Sequence, residues 1–336
     1  MTRLAQRFAL ALSVLAPLSC ATTGAPAVVA ASSPRPPDVH GELLALLPPG
    51  AVAWGRFELA EARRSPHFEG ALELATSLGA EVASVQRELG FDALHQAEKM
   101  VFGVYLPPGT GGNAGWPVII ARGAYDRAAV LAAARVAARD AAPEEGAERA
   151  VAYTIVGQRA YMFPAADVVI VMERSLVRRV AARLAGEERR SVRDDDRFND
   201  LWALVDGQQG PLQVAADLAA IRARVNVRLR GVGRTGEGLD RLVAWAEVPG
   251  DVRVRAAGQA HTEAAALEIT RLVDASTRQL AGQVMVRLLG LGRLLREGVV
   301  ARAEGDRVTL TVQANATEAG RVLRISSALQ ELGAAE

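Results

Sequence analysis

Two stretches of this chain, one opening at Pro49-Gly50 and the other at Gly210-Pro211, run through the same order of apolar patterns. In the first, a strand at 51–57 precedes a helix from about Ser65; in the second, a strand at 212–216 precedes a helix from about Leu218. Strand pairs follow, 101–106 with 118–121 and 242–248 with 252–257, and each leads into a helix, 127–139 or 263–280. A second pair comes next, 151–156 with 159–163 and 299–303 with 307–313, before closing helices near 175–185 and 317–332. A tandem pattern of this kind limits the chain to copies of one supersecondary unit. The expectation is an α+β fold of two tandem repeats, each strand-helix-strand-strand-helix-strand-strand-helix.

The local periods agree with that order. Ile269, Leu272, Val273, Ser276 and Leu280 fall on one helical face, as do Val322, Ile325, Leu329 and Leu332. Val308, Leu310 and Val312 alternate with Thr309 and Thr311, the pattern of a strand with one wet face. The continuous apolar run at 168–172 (VVIVM) reads as a buried strand without a counterpart in the second repeat, which instead carries an amphipathic stretch at 284–295. Pro-Gly and Gly-containing turns between paired strands predict mostly antiparallel sheets, with helices over one face of each. The expected division is 1–19 signal peptide, 20–40 anchor and tether, 41–186 first repeat, 187–209 charged exposed connector and 210–334 second repeat.

Half of the residues are apolar and only 4% aromatic, so the core must be made mainly of Ala, Val and Leu. The 39 basic and 38 acidic residues nearly cancel, which gives no concentrated basic footprint for nucleic acid. Lys99 is the only lysine. The arginine excess by itself does not specify phosphate recognition.

The amino terminus reads as an address. Arg3 and Arg7 precede an apolar run at 8–15 that is too short to span a ~30 Å hydrocarbon core. The run ends in Pro17-Leu18-Ser19-Cys20, and Cys20 is the single cysteine of the chain. This resembles the lipobox of bacterial lipoproteins, with Ser19 and Cys20 matching and Pro17 and Leu18 departing from the usual order. The resemblance implies lipidation of Cys20 and a membrane anchor in the cell envelope, at the outer membrane facing the periplasm. Cleavage after Ala27 or Ala30, with release of a soluble protein, is the other route open to such a leader. Residues 21–38, rich in Ala, Ser, Thr and Pro, read as a tether. The body resembles uncharacterised envelope lipoproteins with duplicated α/β repeats, whose first strand follows a Leu-Leu-Pro-Pro-Gly-Ala-like segment, here 46–51. That resemblance carries no catalytic residue with it.

Candidate chemistry is sparse. The G-x-G-x-x-G match at 231–236 lacks the strand-then-helix setting that a dinucleotide site needs, and the glycine-rich 107–115 lacks a Lys-Ser/Thr. His40, His67, His95 and His261 show no metal-ligand spacing. Asp194, Asp195 and Asp196 read as a cap and first turn for a helix at 197–205 rather than a cation loop. Trp54 and Trp245 both fall in strand regions and read as core. The expected function is therefore a non-enzymatic binding or scaffolding module without cofactor or metal. Its partners are the membrane, through the anchor, and an envelope protein. A carrier of a lipid or other hydrophobic ligand, and a hydrolase with a dispersed site, stand as alternatives.

Overall fold

The computed structural model describes residues 37–66, 68–69, 92–106, 116–139, 141–205, 212–224, 238–247, 251–282 and 290–321. Cys20, the export segment and the tether up to residue 36 lie outside the described residues, as do His67, 107–115, 231–236 and 322–332.

Among the described residues, twelve strands form one sheet. They are β1 Ala53–Phe57, β2 Ala97–Tyr105, β3 Trp116–Gly123, β4 Glu144–Glu148, β5 Val151–Val156, β6 Arg159–Ala165, β7 Val168–Glu173, β8 Leu212–Asp217, β9 Leu239–Glu247, β10 Val252–Ala260, β11 Val299–Glu304 and β12 Arg307–Ala314. Their order is β11-β12-β10-β9-β8-β1-β2-β3-β7-β6-β5-β4, and every neighbouring pair is antiparallel. The expectation of two sheets is thus corrected to one. β1 and β8 pair directly, Gly55 opposite Val214, and join the two halves of the chain through backbone hydrogen bonds.

Tight turns set the antiparallel sense. The β5–β6 turn has Gly157 at φ 62° and the β11–β12 turn has Gly305 at φ 58°, a region that glycine enters without Cβ strain. The β4–β5 turn reaches the same region with Arg149 and Ala150, at φ 53° and 61°.

The hairpins matched in sequence do not occupy matching places. β12 lies beside β10, whereas the strand beside β3 is β7. The run 168–172 therefore holds the position that β12 holds in the other half, and β6 that of β11. The strand β4, Glu-Glu-Gly-Ala-Glu, is absent from the expected elements because its composition disfavours strands. As an edge strand its carboxylates also discourage pairing with another chain.

Helices cover both sides of the sheet, not one. The helices among the described residues are α1 Leu59–Ala62, α2 Ala93–Gln96, α3 Arg127–Ala137, α4 Val177–Leu184, α5 Asn199–Leu204, α6 Leu218–Arg224 and α7 Glu263–Gly282. On one side, α4, α5 and the 3-10 turn Leu43–Leu46 bury Trp54, Val101, Ile120, Ile170, Ala215 and Trp245. On the other, α1 and α3 cover Phe57, Phe102, Ile119, Val169 and Val171. There α7 packs Ala266 and Ile269 against Leu239, Ala260 and Val308. The buried stripe of α7 runs through Ala266, Ile269, Thr270 and Ala281, so Leu280, expected on it, is 43% exposed.

The connector is the largest departure from expectation. Val192, Phe198, Leu201, Trp202 and Val205 are buried, and Trp202 packs its ring 6.0 Å from that of Trp54, over the β1–β8 junction. Burying a large apolar side chain contributes about 1.5–3 kcal/mol, enough to draw a charged segment onto the sheet. Its charges serve the same attachment. Ser191 and Asp194 form a reciprocal capping box. Asp195 holds Arg197, which donates to Asp217 of β8 at 3.1 Å and to the Ala51 carbonyl at 2.6 Å. Arg183 of α4, only 8% exposed, donates to the carbonyls of Ala45 and Glu188 at 2.6 and 2.7 Å. Trp245 donates its indole N–H to the Val205 carbonyl at 2.6 Å.

Candidate functional site

Three places in the described residues gather polar side chains. The first is built around α2. Asp92 precedes this helix and accepts from the backbone N–H of His95 at 3.3 Å, while its other oxygen lies 2.7 Å from His95 Nδ1. Nε2 of the same ring faces Glu69 at 3.4 Å. The hydrogen bond to Asp92 is the main reason that the His95 pKa is raised above its ordinary value. A cavity of about 510 Å3 adjoins this pair and is lined by Asp92, Gln96, Tyr125 and Asp126 among others. Burial pushes the Tyr125 phenol pKa upward. Asp126 spends its carboxylate as the cap of α3, accepting from Ala128 N at 2.9 Å. Chemically the pair could accept or release a proton. Both ring nitrogens face carboxylates, however, rather than a hydroxyl nucleophile.

A second cavity, of about 310 Å3, lies where the chain enters the fold. Arg56, Lys99 and Arg122 meet Glu42 and Glu58 there. Lys99 pairs with Glu58 at 2.9 Å and Arg56 with the same carboxylate at 3.2 Å. Arg122 donates to the carbonyls of Val39 and Gly41 at 2.7 and 3.0 Å. These contacts explain the site as the fastening of the first described residues onto β1–β3.

The third place is a sheet face. Strand alternation places Arg241, Val243, Trp245 and Glu247 of β9 on the side that α5 partly covers, and the register carries that side outward. Arg253, Arg255, Ala257 and Gln259 of β10 follow, then Arg307, Thr309, Thr311 and Gln313 of β12, then Val300, Arg302 and Glu304 of β11. Among the described residues, α5 closes one end of this face. Asp200 of α5 pairs with Arg241 at 3.4 Å and with Arg307 at 3.2 Å. Toward the other end Arg253 pairs with Glu247 at 3.3 Å, and the Arg255 guanidinium lies 5.8 Å from the Trp245 ring centroid. Beyond α5 no described helix packs on this side of β10, β12 and β11, whereas α7 covers their opposite side. Arg302 and Gln313 are exposed, and Val300 is 41% exposed.

The residues singled out in the sequence lie apart from one another. His40 is 3.5 Å from Asp167 and His261 is 2.7 Å from Asp240, each at a different loop. Asp194, Asp195 and Asp196 sit at turn and helix starts, each placed by its local backbone. Trp54 and Trp245 are both 3% exposed. Among the described residues no group of three His, Cys, Asp or Glu could hold a metal ion. Sequence reasoning misses this arginine-bearing face as a site. Its signal is the Val-Arg-Val-Arg alternation at 252–255, which shows a polar side without showing what packs over it.

No family model matches the chain, and no curated protein matches it. Solved structures similar to it include three crystal forms of TP0453. Form III has a TM-score of 0.44 at 13% identity, covering 84% of this chain and 97% of that one. Form I has 0.42 at 11%, covering 86% and 98%, and form IV 0.44 at 13%, covering 85% and 96%.

Proposed function

We propose that this chain is an exported envelope lipoprotein, anchored through Cys20, whose folded body is a non-enzymatic binding module. The observation that carries the binding role is the side of β12 and β11 turned away from α7. The reverse side of these strands is packed, yet among the described residues this side leaves Val300, Arg302 and Gln313 exposed. The address rests on the leader and its single cysteine, with 21–38 as a tether that lets the body reach partners off the membrane. Among the described residues no helix is long and apolar enough to cross a membrane, so the lipid is the attachment this reading relies on. The strand order runs β1-β2-β3 outward on one side of the junction and β8-β9-β10 on the other, which supports descent from a duplicated unit.

Ionisable groups line both cavities, Asp92 and Asp126 in one and Arg56, Lys99 and Glu58 in the other. An acyl chain placed there would desolvate them without compensation, which favours polar partners over a hydrophobic ligand. The direct test has two arms. Metabolic palmitate labelling should mark the wild type and not Cys20→Ala; equal labelling of both would sink the anchor. A pull-down from envelope extracts should lose its partners with Arg302→Glu, and an unchanged pull-down would remove the face from consideration.

A further inference from the structure

We propose that the outer edge of β11 pairs antiparallel with the same edge of a second copy of this chain, so that two sheets join into one across a two-fold axis. The inference rests on the reading of the β12–β11 end as the binding surface, and it names the partner as the chain itself.

β11 ends the sheet, and its inner side pairs with β12 from Val299↔Val312 to Glu304↔Arg307 without a register shift. The two-residue turn Gly305-Asp306 closes this hairpin on the Glu304–Arg307 pair, with Gly305 at φ 58°. In such a hairpin the closing pair exchanges both backbone hydrogen bonds, and the pattern alternates from there along the strand. Glu304, Arg302 and Val300 therefore bond β12 with their backbone groups, whereas Ala303, Ala301 and Val299 turn theirs to the outer edge. Among the described residues no strand takes them up. α7 lies on one side of β11 and β12, over the face of the sheet and not alongside β11 in its plane.

The two ends of the sheet are built differently. β4, at the far end, carries Glu144, Glu145 and Glu148, and a second copy there would bring carboxylates together. β11 reads Val-Val-Ala-Arg-Ala-Glu, with no proline, no glycine and one charge of each sign. Val300, Arg302 and Glu304 are exposed on one side of it, and neither charge is paired among the described residues. An antiparallel copy that continues the sheet sets exposed-side residues opposite exposed-side residues. Centring the pair on Arg302 would set arginine against arginine, and centring it on Ala301 would set Arg302 against Val300. Centring it on Ala303 sets Arg302 of each copy opposite Glu304 of the other, while the outward N–H and C=O groups of the two Ala303 residues bond each other. Charge selects this last register. The contact is short, and on the reading of an anchored lipoprotein it forms between copies held on one surface, where tethering raises their effective concentration.

The test uses the mature chain carrying Cys20→Ser, which takes no lipid, in sedimentation velocity over a concentration series. Arg302→Glu sets glutamate against glutamate at both symmetric pairs, and Glu304→Arg sets arginine against arginine. Arg302→Glu combined with Glu304→Arg restores opposite charges across the seam. Ala303→Pro removes an N–H that β12 does not use, so it blocks the seam and spares the hairpin. The parent chain should dimerise as concentration rises. Either single reversal should raise the dissociation constant about tenfold, and the double reversal should return it to within about threefold of the parent. Ala303→Pro should remain a monomer. Melting curves confirm that the variants are folded, and the charge series decides alone if the proline variant is not. The proposal is overturned if the parent stays a monomer, if the single reversals dimerise as well as the parent, or if the double reversal does not recover. A folded Ala303→Pro that still dimerises also overturns it. Should self-pairing fail while Arg302→Glu still strips partners from envelope extracts, the surface remains a binding site and only the choice of partner is wrong.

Discussion

Gly55→Ala tests whether the β1–β8 junction is as tightly closed as its geometry states. Gly55 sits in β1 opposite Phe102 on one side and Val214 on the other, in the two ladders that hold the halves together. A Cβ built there would stand 2.3 Å from Phe102 Cε1, 2.8 Å from its Cζ and 3.1 Å from the Gln213 carbonyl oxygen. The Phe102 ring is 1% exposed and stacks on Phe57 at 5.8 Å, so it cannot turn away freely. Forcing a methyl group into such a contact costs about 1–3 kcal/mol. The reduced freedom of the unfolded chain returns about 0.4–1 kcal/mol. The net expectation is a loss of about 1–2 kcal/mol, a fall of a few degrees in Tm for a chain of this size. Thermal melts followed by circular dichroism should show it. A double-mutant cycle with Phe102→Leu isolates the contact, because the smaller side chain leaves room for the methyl group. In the Phe102→Leu background, Gly55→Ala should cost about 1 kcal/mol less than it does beside Phe102. A Gly55→Ala melt at or above the wild-type temperature, or strictly additive costs in the cycle, would refute the reasoning.

Three further expectations follow from the same physical terms. Ala150→Gly should raise stability by about 1 kcal/mol in urea titrations, because Ala150 holds φ 61° in the β4–β5 turn, where a Cβ is strained. Arg183→Met should lower it by about 2–4 kcal/mol, since the carbonyls of Ala45 and Glu188 lose a buried charged donor. Asp92→Asn should bring the His95 pKa, raised chiefly by its hydrogen bond to Asp92, back toward about 6.5 in NMR titration. A raised folded-state pKa means that this pair stabilises the protein at pH below the unfolded value and ceases to do so as pH rises through the folded one. Asp92→Asn should flatten that pH dependence. The change in stability is small because both side chains are substantially exposed, at 42% and 39%.

Much of the element order is legible in the sequence. Strands such as β7 and β12 announce themselves by apolar content or strict alternation, and α3 and α7 by their helical period. The failures have specific causes. β4 is built from residues that disfavour strands and exists because β5 offers it an unpaired edge. The connector reads as exposed because its charges are contiguous in sequence. Its apolar residues, Val192, Phe198, Leu201, Trp202 and Val205, are spread among them and find their partners only on the sheet. The matching of hairpins between the halves goes astray because a pattern of strand and turn carries no label for which strand it will lie beside.

The candidate site divides in the same way. Alternation at 252–255 and 307–313 determines that these strands have a polar face, since period two follows from backbone geometry alone. What lies over that face is a matter of long-range contact. Among the described residues α5 packs over β9 and β10 on this side, where Asp200 meets Arg241 and Arg307, and α7 packs on the opposite side. Local pattern thus decided the strands, the turns and the wet face of β12, because these depend on neighbours a few residues away. The single continuous sheet, the buried connector and the pairing of the arginines on β9, β10 and β12 were decided by the tertiary structure, because each depends on contacts between segments far apart in the chain.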